Sequence, residues 1–503
     1  MTILKVYCKM NQKGMIMEFV ENKEEEKIQL KAIFRDMLKY SPSKICGTVG
    51  NAIIVPVYTS LLQPQEYGLY SLSIAFLSFL CIIFSDWVGL SGLRFFRQAQ
   101  MAQELPKYLS VLVSILGMNL VAMFLVTFLF RHNIYSFFKI SPVYLLCILI
   151  LIIPVAIRAL LFQLLRAQLK SIAFTFSTIL NQIMTIGLSI FIIKVFHLGA
   201  MSLLLAMGIS ITITDIILIY QSNILKYFNM PKIKFKVLLP IFLYGIPLAA
   251  TSLSSWIINQ SNKFIMNGIS GFKEVGYVGV AYGVTLPLLM TIFSIITVAA
   301  IPRIIRMYEA RIDVRPIISR FTGYYILISL PVVLIMSLYS QDFVAMLSNS
   351  KFHEAYRIIP YFAFGTFFMG LADYTTLQYH LANKTYIEFI IKLISGIVGI
   401  VLNIVLIPKF GLEGVGIATL SANFLYFFLS AIIVLPGLGL RYPQKTFLSM
   451  LLAFVPMWLA YDLIKDVTIV LPLLQMIALL VVFYCVYAFA NRKLTRVFEK
   501  IEK

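Results

Sequence analysis

Long apolar stretches separated by short polar breaks run through almost the whole chain. Since about 20 apolar residues cross the hydrocarbon core of a bilayer as a helix, these runs predict fourteen membrane spans. They fall near 43–63, 68–91, 108–130, 142–164, 171–194, 198–220, 237–258, 275–300, 318–340, 356–380, 386–407, 413–436, 447–464 and 468–490. The breaks are brief, as at Gln63-Pro64-Gln65-Glu66 and Phe196-His197-Leu198-Gly199, and leave little room for a catalytic domain outside the membrane. Ahead of the first run, Ile28, Leu30, Ile33, Phe34, Met37 and Leu38 recur at helical spacing with basic residues between them. That pattern predicts an amphipathic interfacial helix within an N-terminal segment, 1–42. No apolar run of signal-peptide length precedes it, so no cleaved leader is expected.

Composition agrees with lipid as the solvent. Of 503 residues 60% are hydrophobic and 13% charged, and mean hydropathy is +0.90. An ordinary soluble domain is about 45–50% apolar and about 25% charged. The net charge of +20 does not mark a nucleic-acid protein, because the Lys and Arg residues punctuate apolar runs rather than cluster on a folded polar face. It marks topology. Lys and Arg concentrate in short cytoplasmic loops, and the even-numbered loops with the C-terminal tail hold 22 of them against 8 in the odd-numbered loops. Both termini are therefore expected on the cytoplasmic side. The expected organisation is spans 1–6 over 43–220, a basic linker at 221–236, spans 7–12 over 237–436, a final helix pair over 447–490 and a basic tail at 491–503. Five scattered cysteines read as apolar filler. The four histidines show no metal spacing, and no phosphate-binding Gly-rich loop or G-x-S-x-G elbow occurs. No cofactor, metal or enzymatic activity is expected.

The chain also repeats itself. Glu66-Tyr67-Gly68-Leu69-Tyr70 matches Glu274-Val275-Gly276-Tyr277-Val278 at an offset of 208 residues. Arg166-Ala167-Gln168 matches Leu381-Ala382-Asn383 at 215, and Phe196-His197-Leu198-Gly199-Ala200 matches Phe410-Gly411-Leu412-Glu413-Gly414 at 214. Span number shifts by six each time. An even shift keeps the orientation, so the halves are parallel repeats about an axis along the membrane normal.

These features resemble the polysaccharide flippases, the Wzx-type O-antigen and capsule transporters of the multidrug/oligosaccharidyl-lipid/polysaccharide exporter superfamily. The resemblance covers about Lys31 to Arg492. It rests on Glu66-Tyr67-Gly68, on Asp86-Trp87-Val88-Gly89-Leu90 followed by Leu93-Arg94-Phe95-Phe96, on Tyr244-Gly245-Ile246-Pro247-Leu248 and on Glu274-Val275-Gly276-Tyr277. The most specific stretch runs from Leu402-Asn403 through Ile407-Pro408-Lys409-Phe410-Gly411 to Gly414-Val415-Gly416-Ile417-Ala418-Thr419. The resemblance implies an all-α integral membrane protein of about fourteen helices, with two six-helix lobes and a C-terminal helix pair. It also implies that spans 1, 2, 7 and 8 line a central cavity. The expected function is to flip polyprenyl-diphosphate-linked oligosaccharide across the bacterial inner membrane by alternating access, with a polysaccharide polymerase and chain-length machinery as partners. An H+ or Na+ gradient would drive it. Where the family often has an acidic-basic pair at the outer end of span 7, this chain reads Asn262-Lys263. Two relatives in mechanism stay open, a lipid II flippase and an ion-coupled drug exporter. A membrane glycosyltransferase or polymerase is a more distant alternative, since such enzymes usually need an acidic metal motif in an early outer loop or a large outer loop.

Ionisable groups at membrane depth are costly and need a reason. Arg158 stands about 10 Å from the cytoplasmic end of span 4 at about 1.5 Å per residue, where its paired donors suit a diphosphate. Alternatively it snorkels to the interface. Arg94 and Lys263 are further candidates to attract that group, and Asn259, Gln260, Asn51 and Tyr58 are candidates for sugar contacts. Lys263 is read as a cation just past span 7. Asp86, Asp215 and Asp373 are candidate ion-coupling acids, with a structural ion pair to Arg94 or Arg97 as the other reading of Asp86. Glu388 and Lys392 read as an i,i+4 salt bridge.

Overall fold

The computed structural model describes residues 50, 52–168, 170–222, 235–439, 444–464 and 472–501. The amphipathic segment at 27–39, the start of span 1 with Asn51, and most of the basic linker lie outside the described residues. Among those described, every regular element is helical.

The helices, numbered in chain order, are α1 (Ala52–Leu61), α2 (Pro64–Met101), α3 (Leu105–Leu129), α4 (Arg131–Phe138), α5 (Pro142–Ala167), α6 (Ser171–Phe196) and α7 (Ala200–Ser222). Then come α8 (Phe235–Ser270), α9 (Phe272–Glu309), α10 (Arg315–Leu338), α11 (Ser340–Leu347) and a 3-10 segment (Ser350–Ile358). The chain continues with α12 (Ile359–Leu381), α13 (Thr385–Phe410), α14 (Leu412–Ile432), α15 (Gln444–Ile464) and α16 (Pro472–Ile501). Among the described residues each of the fourteen expected spans overlaps one helix, and α4 and α11 are short extra helices. Eleven helices among the described residues are long and apolar enough to cross a membrane. The chain folds as an all-α membrane protein whose exposed large side chains, such as Ile172, Leu129 and Leu463, are apolar and lipid-suited.

The two halves use one packing scheme. In the first, α5 packs on α7 and α2, α6 on α7, and α2 on α3; in the second, α12 packs on α14 and α9, α13 on α14, and α9 on α10. The short helices α4 and α11 occupy the same place in the two repeats, after spans 3 and 9. The final pair, α15 and α16, packs on itself and against α10.

The ends of two spans differ from expectation. Span 7 does not stop at 258: α8 runs unbroken to Ser270, so Lys263 lies within a helix rather than past one. The polar run Asn259 to Lys263 imitates a span end, but its side chains turn into the protein. Likewise α2 continues to Met101 and carries Arg94 and Arg97 on its last turns. Within α2, Ile82–Asp86 form a π-helical turn. The Asn119 side chain donates to the Phe84 carbonyl at 3.0 Å, supplying a partner at this irregular turn.

The lobes meet along α2, α8 and α9. Halfway down, Trp256 of α8 donates its indole N–H to the Ala75 carbonyl and to Ser78, both at 3.0 Å. Lower on α2, Trp87 packs on Phe242, and Ser91 donates to the Ile241 carbonyl at 3.3 Å. At the Gln63 end, α2 and α9 cross backbone to backbone.

Candidate functional site

In the first lobe, Arg158 of α5 does not stand free. Its Nε lies 2.9 Å from a carboxylate oxygen of Asp215 on α7, and Nη2 donates to the Ile211 carbonyl at 3.0 Å and to the Thr214 hydroxyl. The guanidinium also lies 5.5 Å from the Phe162 ring centre. Two residues expected in separate roles are thus one buried ion pair, their side chains 12% and 5% exposed. An ion pair bonded this fully holds α5 to α7 and leaves the guanidinium few free donors. The snorkelling expected as an alternative is also not what the side chain does.

Tyr58 of α1 is buried, and its hydroxyl lies 3.1 Å from that of Ser189 on α6. Ser189 donates to the Thr185 carbonyl at 2.6 Å, and the Thr185 hydroxyl lies 2.5 Å from that of Ser210 on α7. This ladder joins three helices and was not anticipated, because serines and threonines recur in most spans and carry no signal of their own.

Asp86, at the end of the π-helical turn, accepts a hydrogen bond from Ser85 at 3.3 Å. The ion pair with Arg94 or Arg97 is not formed: among the described residues Asp86 pairs with no cation, and both arginines are exposed. The helix carries their side chains on past Asp86 toward the exposed end of α2.

In the second lobe, Lys263 is 7% exposed and pairs with no acid among the described residues. Its ammonium lies 5.3 Å from the ring centre of Tyr282 on α9. Next to it, Asn262 donates to the Thr419 hydroxyl of α14 at 3.0 Å and to the Tyr282 hydroxyl at 3.4 Å. The side-chain oxygens of Gln260 and Asn262 have no partner among the described residues. Asn259 donates to the Ser255 carbonyl at 2.9 Å and faces a cavity of about 70 Å³. Asp373, Lys392, Asn423 and Tyr426 line the same cavity. Such a polar volume has room for water, since one water needs about 10–15 Å³ on this scale.

Around the cavity, Tyr426 donates to Asp373 at 3.2 Å. Glu388 lies 2.6 Å from Lys392, as its i,i+4 spacing suggested, and 2.7 Å from the half-exposed His380. The structure therefore brings Asn259 and Asp373 together, but it does not join Arg158 to Lys263, which belong to different lobes. Sequence reasoning missed Tyr426, Asn423 and Lys392 as neighbours of Asp373. A signal was present, because Arg158 and Asp373 are themselves 215 residues apart, the offset of the repeat at the ends of α5 and α12. The two lobes thus carry buried charges of opposite sign at equivalent positions.

These features define a two-lobed, all-helical membrane protein of the flippase and exporter fold. The chain belongs to the polysaccharide biosynthesis protein family, whose model matches residues 57–357. Among solved structures it is similar to the lipid II flippase MurJ in an inward closed conformation, at 17% identity and a TM-score of 0.71 over 93% of this chain and 99% of that one. It is also similar to a MATE family multidrug resistance transporter in an inward-facing conformation, at 12% identity and a TM-score of 0.64 over 77% of this chain and 92% of that one. An outward-facing MATE structure matches at 16% identity and a TM-score of 0.54, over 80% and 94%. No curated protein matches the sequence.

The two lobes predict opposite responses to loss of a cation. Arg158→Ala strands a buried carboxylate and should cost about 3–5 kcal/mol, whereas replacing Arg158 by Met and Asp215 by Leu together should come close to neutral. Lys263→Met strands no acid, so it should preserve or raise the unfolding midpoint. Thermal unfolding of the three variants in detergent checks both outcomes.

Proposed function

We propose that this protein flips polyprenyl-diphosphate-linked oligosaccharide units from the cytoplasmic to the outer leaflet of the bacterial inner membrane. The observation that carries the reading is Lys263. A buried ammonium without a counter-ion is costly, and a transported diphosphate would supply the missing charge. Its depth is about 10 Å from the end of α8 at about 1.5 Å per residue, beside the amide of Asn259 and the side-chain oxygens of Gln260 and Asn262, which have no partner among the described residues. Those groups suit sugar hydroxyls. The family's description and the fold's likeness to a lipid II flippase support a lipid-linked cargo. Arg94, on the exposed end of α2, would meet the diphosphate at the entrance. Arg158 would act through the rigidity of α5 and α7, and Tyr58 through the packing of α1 on α6.

In this reading the end rich in Lys and Arg faces the cytoplasm, with both termini on that side. A polymerase and chain-length machinery would receive the cargo on the other side. Coupling to an H+ or Na+ gradient would fall to Asp373, which faces a polar cavity and accepts a hydrogen bond from Tyr426. Asp215 is already matched by Arg158, and Asp86 accepts a hydrogen bond from Ser85.

Two measurements follow. Calorimetry of the purified protein with geranyl diphosphate should show binding that Lys263→Met abolishes while the variant keeps its unfolding midpoint; equal binding by both would remove Lys263 from the site. Thiols introduced singly at Arg311 and at Lys351 should be labelled from opposite sides of the membrane, with Arg311 on the cytoplasmic side. The reverse result would invert the topology.

A further inference from the structure

A line of polar side chains connects the cavity of the second lobe to one end of its helices. Asp373 lines the cavity from α12, and His380, in the last turn of the same helix, stands about 10 Å further along the axis at about 1.5 Å per residue. Two residues of α13 join them. Glu388, in the first turn of α13, lies 2.7 Å from Nε2 of His380 and 2.6 Å from the Lys392 ammonium. Lys392 in turn lines the same cavity as Asp373 and stands 5.2 Å from the ring centre of Tyr426, whose hydroxyl donates to Asp373 at 3.2 Å. The Glu388 and Lys392 side chains are 5% and 12% exposed, whereas that of His380 is 50% exposed. Tyr325 of α10 and Tyr374 of α12 also face Asp373.

Charge balance does not account for this arrangement. Lys392 alone neutralises Glu388, and a buried pair needs no third ionisable group to be closed. The imidazole comes from a different helix and opens the carboxylate to water, and histidine is the side chain that gains and loses a proton near neutral pH. Nor does the repeat demand it. The positions 214 and 215 residues before Glu388 are Phe174 and Ala173, and those before Lys392 are Thr178 and Ser177. The carboxylate and the amine therefore belong to the second lobe alone.

We propose that His380, Glu388 and Lys392 form the path by which a proton passes between Asp373 and the cytoplasm. This rests on the reading of Asp373 as the coupling acid and makes the coupled ion a proton. The Asp373 carboxyl gives its proton to water in the cavity, and Lys392 takes it up as it hands one of its own to Glu388. Glu388 passes that proton to Nε2 of the neutral imidazole, which releases it to water at the end of α12. Lys392, Glu388 and His380 end as they began, and Asp373 is left ionised. In the topology proposed above the end of α12 faces the cytoplasm, so cargo moving outward is matched by a proton moving inward.

The test follows the proton without any cargo. In the purified full-length protein, a jump to alkaline pH should bleach a protonated-carboxyl infrared band that Asp373→Asn removes. His380→Asn should slow that bleaching several-fold at an unchanged unfolding midpoint, and added imidazole should restore the rate, since a half-exposed site admits the free base. Glu388→Gln should be slow and indifferent to imidazole. Bleaching at the native rate in His380→Asn, a slow rate that imidazole leaves unchanged, or no band belonging to Asp373 would overturn the proposal. In proteoliposomes, a pH gradient should speed transport of lipid-linked oligosaccharide by the native protein but not by His380→Asn, unless imidazole is supplied on the cytoplasmic side. Transport driven equally by a Na+ gradient would also contradict it. Imidazole-dependent proton release in a protein that moves no such lipid would leave the path standing and refute the proposed cargo.

Discussion

A charge enclosed by a lipid-embedded protein must find a partner inside it, and the fold is organised around how each lobe meets that demand. In the first lobe Arg158 finds Asp215 and welds α5 to α7. In the second, the equivalent position holds Asp373, which has a tyrosine and a small polar cavity, while the nearby lysine is held by Glu388. Lys263 alone of these buried groups has no acid set against it among the described residues. The proposed function gives that lysine a ligand of opposite sign.

The repeat gives this chemistry a moving frame. Equivalent helices pack on equivalent helices, and the halves join at one end through reciprocal contacts about an axis between Ser71 and Gly279. The other end of the seam is joined by side chains. There, Trp87 and Ser91 of α2 lean on α8 around Gly245, whose added Cβ would come within 2.4 Å of the Trp87 ring.

Much of this was legible in the sequence, because the bilayer imposes a strong pattern. Twenty-residue apolar runs located the spans, and short breaks between them fixed their order. The helix ends were less legible for a physical reason: Asn259 to Lys263 are polar and look like a loop, yet they point into the protein, where α9 and α14 receive them. The offset of 208 was visible and implied parallel repeats; that residues separated by it meet across the seam required the fold. The pairing of Arg158 with Asp215 was not, since 57 residues separate them and only the packing of α5 on α7 brings them together. Lys263 could be recognised as a cation near a polar cluster, but its burial and lack of a counter-ion required the fold.

The most direct test of the account is leaflet-resolved movement of undecaprenyl-diphosphate-linked oligosaccharide in inverted membrane vesicles with and without the protein at equal abundance. The account predicts protein-dependent passage of the saccharide into the vesicle lumen. Absence of that passage, together with protein-dependent efflux of small organic cations, would contradict it and place the protein among the exporters of the same fold.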